Sequence, residues 1–326
     1  MNETPYPEMQ EKCAIVKIQY CGICGSDTGA FKGSNPTVKY PIVGLGHEGM
    51  GIIEEIGEND KGLRKGDCVA LEPYISCTQC HQCLKGRLNN CTNIKVCGVH
   101  TTGMMSDYFH HPIRLIHKIP DALSLEDAVL AEPFTIGLHA ATIGKVTKGD
   151  KCLIFGAGVV GLMTAFAVKA YGGQPIVCDV LQGRLNKAKK MGFECIHNSP
   201  DEDLVKNIKK VIGEKMADVV IDCTGSPAVI KNLHLYISYG ARIVLVGWPS
   251  KPVEINTIKC MQKEAAILTC RNSNKKFPEA LKLIEEGVLP VKKIITEFVN
   301  VNDVQNALSN IINNPQDYLK VVVEMD

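Results

Sequence analysis

The chain has 326 residues, in which 36 Lys plus Arg nearly balance 35 Asp plus Glu for a formal net charge of +1. That balance argues against nucleic acid or an anionic membrane as partner, leaving small molecules or further copies of the chain. The length suggests about two domains with a cleft between them.

The opening stretch, MNETPYPEMQEK, has no basic segment followed by an apolar one, so no secretory signal is expected and the protein reads as cytoplasmic. From Cys13 to about Ala140, short β-rich runs (AIVKI, YPIVGLGHEGMGIIEEIG, DCVALEPY, SDYFHHPIRLIHKI) are broken by glycine and proline, which predicts a compact β domain. From Asp150 onward strands and helices alternate. KCLIF precedes a helix over Val160 to Tyr171, PIVCDV a helix from Gly183 to Met191, and ECIHN a helix from Asp201 to Ile212. ADVVIDCTG then precedes a helix from Ala228 to Ser238, followed by the strands ARIVLVG and AAILTC. Repeated βα units predict an α/β domain with a doubly wound parallel sheet. The uncharged run from Cys152 to Val168 is short for a membrane span, and its glycines and alanines fit a strand, turn and helix. The tail holds a helix over Phe277 to Glu286, a strand from Ile294 to Val299, a helix beginning near Asn302 and a strand in LKVVVEM, and is expected to rejoin the first domain.

Cys77, Cys80, Cys83 and Cys91 form a C-x2-C-x2-C-x7-C run among polar residues. Four thiolates so close in sequence can converge on one tetrahedral zinc, whereas the bacterial iron–sulfur run places its last cysteine three residues on and follows it with proline. The remaining cysteines are scattered singly, several in apolar segments (Cys152, Cys178, Cys223), and the total of 15 suits a reducing compartment.

Gly156, Gly158, Val159, Val160 and Gly161 belong to a G-x-G-x-x-G that follows the KCLIF strand and opens a helix, the context in which such a loop cradles a pyrophosphate. Asp179 ends the next strand, where a carboxylate accepts from adenosine ribose hydroxyls and repels a 2′-phosphate. NAD is therefore expected over NADP, with Arg184 one helical turn away able to moderate the repulsion. A further set is dispersed: Cys24 in CGICGSD, His47 and Glu48 in GLGHEG, and Glu132 in AEPF. Cys24, His47 and one of the two glutamates make the three protein ligands of a catalytic zinc with an open position, and the sequence leaves Glu48 and Glu132 as alternatives.

The ordered set C-G-I-C-G-S-D, G-H-E-x-x-G, four-cysteine loop, E-P and G-x-G-x-x-G resembles the zinc-dependent medium-chain alcohol dehydrogenases over nearly the whole chain. A glutamate in E-P is similar to the polyol and sugar-acid branch that includes sorbitol dehydrogenase, and GVHTTG, AEPFTIGLHA and CRNS look closest to L-galactonate oxidoreductases. The resemblance implies a GroES-like catalytic domain over 1–136 and 272–326, a Rossmann NAD-binding domain over 137–271, one catalytic and one structural zinc, and hydride transfer from a secondary alcohol to NAD. In that scheme Ser26 accepts the substrate hydroxyl proton and Asp27 supports the metal site from outside its ligands.

Some positions depart from the family pattern. Gly29 stands where many relatives carry a relay histidine, and His100 reads as a loop residue outside the catalytic set. Met104 and Met105 replace the usual G-F and are expected to fill core space. Relatives also open with a β-hairpin ahead of the segment matching PYPEMQEKCAIVKI; its loss is expected to expose a sheet edge and favour aggregation or a changed subunit contact. Arg271 and Asn272 follow the last parallel strand, where arginine is placed to pair with a substrate carboxylate. A homodimer or homotetramer through an exposed strand edge, such as that of ARIVLVG, is expected. The competing functional reading is a non-catalytic or truncated zinc- and NAD-binding relative of the same fold.

Overall fold

A computed structural model describes residues 4–35, 37–38, 44–199 and 203–325. Tyr40 to Val43 of the expected YPIV strand, and the expected start of a helix at Asp201, lie outside the described residues. The chain divides into two compact units, one built from 1–132 and 277–326, the other from 133–276.

The first unit begins with strands β1 (Cys13–Gly22), β2 (Glu48–Ile56), β3 (Cys68–Leu71), β4 (Tyr74–Ile75), β5 (Lys95–Val96), β6 (Tyr108–Pro112) and β7 (Ile116–Lys118). β1 is the organising strand. Along one edge it pairs antiparallel with β2, while its first half also pairs with β6. Its apolar residues Ala14, Val16 and Ile18 pack with Ile53, Val69, Leu71 and Met104, so burial of this face fixes the register. Met104 is fully buried and Met105 packs beside it, both as core residues.

The second unit carries β8 (Lys151–Phe155), β9 (Gln174–Asp179), β10 (Glu194–His197), β11 (Ala217–Asp222), β12 (Ile237–Leu245) and β13 (Ala266–Thr269). They form a parallel sheet in the order β10-β9-β8-β11-β12-β13. This is the doubly wound order, with the strand sequence reversing beside β8, where a ligand crevice is expected. Helices Val159–Ala170, Gln182–Lys190 and Leu204–Ile212 follow the first three strands. The Cys152 to Val168 run is thus a strand, turn and helix, and no described helix is long and apolar enough to cross a membrane.

Two expectations need correction here. The helix expected over Ala228 to Ser238 spans only Pro227–Asn232, followed by a 3-10 turn, and β12 begins at Ile237. Tyr236 and Ile237 are buried against β11, so core packing draws this segment into the sheet, and Gly240 at φ +69° bends it. ARIVLVG, moreover, is no exposed edge, because β12 pairs with β11 on one side and β13 on the other. The outer strand is β13, with Ile267 39% exposed.

The chain returns to the first unit through helix Phe277–Glu285, then β14 (Ile295–Asn300), helix Val304–Asn313 and β15 (Lys320–Glu324). β15 pairs with the second half of β1, Tyr20 to Gly22 opposite Glu324 to Val322. This return brings the Lys320 ammonium to Ile23 O and the Glu48 carboxylate.

Candidate metal centres and nucleotide loop

The loop after β4 brings the four cysteines together, with ligand atoms of Cys77, Cys80, Cys83 and Cys91 all within 4.8 Å of one another. Backbone N–H groups are aimed at the sulfurs: Cys91 Sγ accepts from Cys77 N at 3.2 Å and from Asn93 N at 3.3 Å. Such bonds favour thiolate. Those from Gln79 and Cys80 lower the Cys77 thiol, and those from Cys83 and Thr92 bring Cys80 down to about 5. Cys83 is pushed the other way, up to about 12, by burial and by its neighbouring sulfurs. Four thiolates cannot share so small a space without a cation, and zinc with four sulfur donors fits this arrangement.

The dispersed set also converges. Cys24 ends the turn out of β1 and precedes helix Gly25–Phe31, whose Asp27 accepts from the Cys24 backbone N–H at 2.8 Å. The other Asp27 oxygen accepts from Gly46 N at 3.2 Å, tying the Cys24 turn to the loop that carries His47. Ligand atoms of Cys24, His47 and Glu48 lie within 4.8 Å of one another. Among the described residues His47 Nδ1 is buried without a hydrogen-bond partner, and it stands 3.9 Å from Asp27 Oδ1. Burial works against a charged imidazole here, but Cys24 and Asp27 outweigh it and raise the His47 pKa well above its ordinary value. A thiol, an imidazole and a carboxylate brought this close together suit a divalent cation of zinc's type.

The two glutamates are held differently. Glu48 receives Lys320 Nζ on Oε1 at 2.7 Å and on Oε2 at 2.6 Å. Glu132, in the first turn of helix Ala131–Ile143, accepts a short hydrogen bond from the Tyr74 hydroxyl. It is not part of the Cys24, His47 and Glu48 group, although its charge acts on His47. Burial and the nearby Glu48 carboxylate push Glu132 up to about 7. Among the described residues Ser26 Oγ is buried without a hydrogen-bond partner. His100 accepts from Val96 N at 3.1 Å and is bound into its own loop.

Lys320 and Tyr74 carry no motif, and nothing in the sequence pairs them with the glutamates. The one available signal for Lys320 is a lysine entering an otherwise apolar strand, KVVVE.

In the second unit the glycine turn follows β8. Gly156 sits at φ +103°, and a Cβ on Gly161 would lie 1.8 Å from Gly156 O, so both positions demand glycine. Helix Val159–Ala170 starts without a side-chain cap, leaving its first N–H groups to a ligand. Asp179 is buried at the end of β9 and accepts from Ala157 N at 2.6 Å and Leu181 N at 2.8 Å. It therefore moulds the glycine turn besides offering its carboxylate. Arg184 lies near Gly158, 3.8 Å from where a Cβ would stand. Asp222, missed in the sequence, binds the turn after β11 through Thr224 N and Gly225 N, both at 3.1 Å. Arg271 and Asn272 follow β13, with Asn272 at φ +51°. These residues belong to the second unit and the metal cluster to the first.

Residues 10–121 match the alcohol dehydrogenase GroES-like domain and residues 159–286 the zinc-binding dehydrogenase family. An uncharacterized zinc-type alcohol dehydrogenase-like protein of Haemophilus influenzae is 40% identical over 98% of this chain and 94% of its own. The chain belongs to the zinc-type alcohol and polyol dehydrogenases. Members of this family are NAD(P)-dependent oxidoreductases. Among the zinc-type dehydrogenases, the L-galactonate-5-dehydrogenase of Escherichia coli is 32% identical, covering 98% of this chain and 94% of that one. A crystal structure from E. coli, described as a short chain alcohol dehydrogenase (rspB) complexed with cofactor NADH, superposes with a TM-score of 0.91 at 34% identity, covering 99% of this chain and 94% of that one.

Proposed function

We propose that this dehydrogenase oxidises a secondary alcohol of a polyol or sugar acid, with NAD+ as hydride acceptor. The observation that carries the reading is the convergence of Cys24, His47 and a carboxylate beside a buried Ser26 hydroxyl. Cys24 and His47 would hold a catalytic zinc with Glu48 or Glu132 as third ligand, and the four cysteines a structural zinc. Bound there, zinc supplies a Lewis acid that lets an alcohol lose its proton near neutral pH.

The chain's own residues do the rest. Ser26 would relay the hydroxyl proton of the substrate, accepting it as its own hydroxyl proton passes outward to solvent, since its oxygen has no hydrogen-bond partner among the described residues. Asp27 fixes the Cys24 turn and the His47 loop through its two backbone hydrogen bonds. The glycine turn and the open N-terminus of helix Val159–Ala170 receive the cofactor pyrophosphate, and Asp179 favours ribose hydroxyls over a 2′-phosphate. Arg271 would pair with a substrate carboxylate if the substrate is an aldonic acid, a reading supported by the likeness to the L-galactonate-5-dehydrogenase. The outer strand β13 supports a dimer through sheet extension.

The test is NADH formation by zinc-loaded protein offered polyols and aldonic acids, with zinc measured alongside. Turnover on polyols or aldonic acids is expected, with Arg271→Ala weakening the aldonic acids selectively. Equal loss on sorbitol and galactonate would end the carboxylate role of Arg271. Zinc in both sites without turnover on any alcohol would favour the non-catalytic reading.

A further inference from the structure

Asp222 closes β11 and is fully buried. A carboxylate is costly to bury, and one that served packing alone would be better replaced by an apolar side chain. Here burial pushes the carboxyl pKa up and the donors of its own turn pull it back down, Thr224 through its hydroxyl and N–H and Gly225 through its N–H. The backbone oxygen of Asp222 accepts from Val246 N at 2.9 Å and from Gly247 N at 3.0 Å, on the turn that follows β12. One residue therefore ties down two turns.

Those turns meet backbone to backbone. Gly225 sits at φ +65°, and a Cβ there would lie 2.5 Å from Trp248 O, while a Cβ on Gly247 would lie 2.1 Å from Gly225 N. On its other side the Asp222 turn touches the glycine turn after β8. A Cβ on Gly156 would stand 3.2 Å from the Thr224 methyl, and Cys223 N donates to Phe155 O at 2.9 Å. The turn after β11 is thus wedged between those after β8 and β12, at the ends of three adjacent strands.

Asp179 ends β9 on one flank of β8, and the Asp222 turn follows β11 on the other flank. A dinucleotide laid across the reversal point, with its pyrophosphate on the glycine turn and its adenosine ribose at Asp179, must carry its second nucleoside over β11 and β12. We infer that Asp222 is a positioning residue that sets the backbone of the turns after β11 and β12 for the nicotinamide half of the cofactor. This rests on the proposed placement of the cofactor at the glycine turn and Asp179.

The experiment compares two ligands on the zinc-loaded protein by calorimetry: NADH, and ADP, which keeps the adenosine and two phosphates but lacks the nicotinamide nucleoside. Asp222→Asn preserves the shape of the side chain but turns one acceptor oxygen into an NH2 donor, so that whichever way the amide lies, an N–H of the turn loses its acceptor. Its Kd for NADH is expected to rise about tenfold, the scale of one lost charge-assisted hydrogen bond, while its Kd for ADP stays within about twofold of wild type. Thr224→Val removes the hydroxyl that donates to Asp222 and keeps the methyl near Gly156, and should shift the ratio of the two affinities in the same direction. Thr224→Ser, which keeps the hydroxyl, should bind both ligands like wild type.

Unchanged NADH binding in Asp222→Asn would overturn the inference, and so would an equal loss of NADH and ADP binding, which would mean that Asp222 serves only the fold of the unit. If Asp222→Asn does not fold, Thr224→Val decides between those outcomes by the same ratio. Wild-type protein that binds neither ligand would overturn the cofactor placement, and this inference with it.

Discussion

The two candidate metal sites sit in the same unit and are built in opposite ways. The cysteine loop gathers its ligands within residues 77–91 and shapes them with its own backbone N–H groups. The Cys24 and His47 centre draws on residues 24, 27, 47 and 48 and takes its counter-charge from residue 320. A local site can be removed with its loop, and its loss is felt as stability. A dispersed site can be emptied while its scaffold stands, because β1, β2 and β15 are held by their own ladders and core.

The sharpest way to break this comparison is His47→Ala. Turnover should fall to background while the cysteine-loop zinc and the thermal midpoint are kept, as metal analysis and calorimetry would show. A large drop in midpoint would mean that the dispersed site is structural as well. Cys91→Ser should do the reverse, releasing the loop zinc and costing about 4 kcal/mol of stability where free zinc exceeds the site Kd a thousandfold, with turnover surviving at low temperature. Turnover lost in proportion to zinc, with the fold intact, would contradict a structural role for the loop. Ser26→Ala should lower kcat by at least about a hundredfold without changing zinc content, the scale of a lost proton acceptor.

The smallest effect concerns acid. Burial holds His111 down at about 3 and His139 at about 4, so each stays neutral in the folded protein at pH values where the unfolded chain binds a proton. Their contribution is intact above the unfolded pKa near 6.5 and is lost as pH falls toward the folded values. His111, fully buried in β6, should cost about 1.4 kcal/mol for each pH unit below 6.5. Denaturant melts between pH 7 and 5 on wild type and His111→Gln would reveal it as a difference in slope.

The same contrast explains what could be read from the sequence. The cysteine run declares itself through spacing, and the glycine turn through its place between strand and helix, because each is a local motif. Cys24, His47 and Glu48 were legible because each stands in a recognisable short string. The roles of Lys320 and Tyr74 were not, since a lysine bonded to a glutamate 272 positions away leaves no local trace. Nor could sequence show how Glu48 and Glu132 are held, because their donors Lys320 and Tyr74 lie 272 and 58 positions away. The misread segment at Leu233 to Ser238 has a related cause: local pattern suggested helix, and parallel pairing with β11 overrode it.

The pairing of β1 with β15 also bears on biosynthesis. The ribosome delivers Cys24 and His47 early, yet the strand that covers the second half of β1 and brings Lys320 to Glu48 emerges 272 residues after Glu48. The intervening 133–276 unit can fold while the chain is still growing. Until β15 emerges, the second half of β1 lacks this strand partner and Glu48 lacks the ammonium that matches its charge.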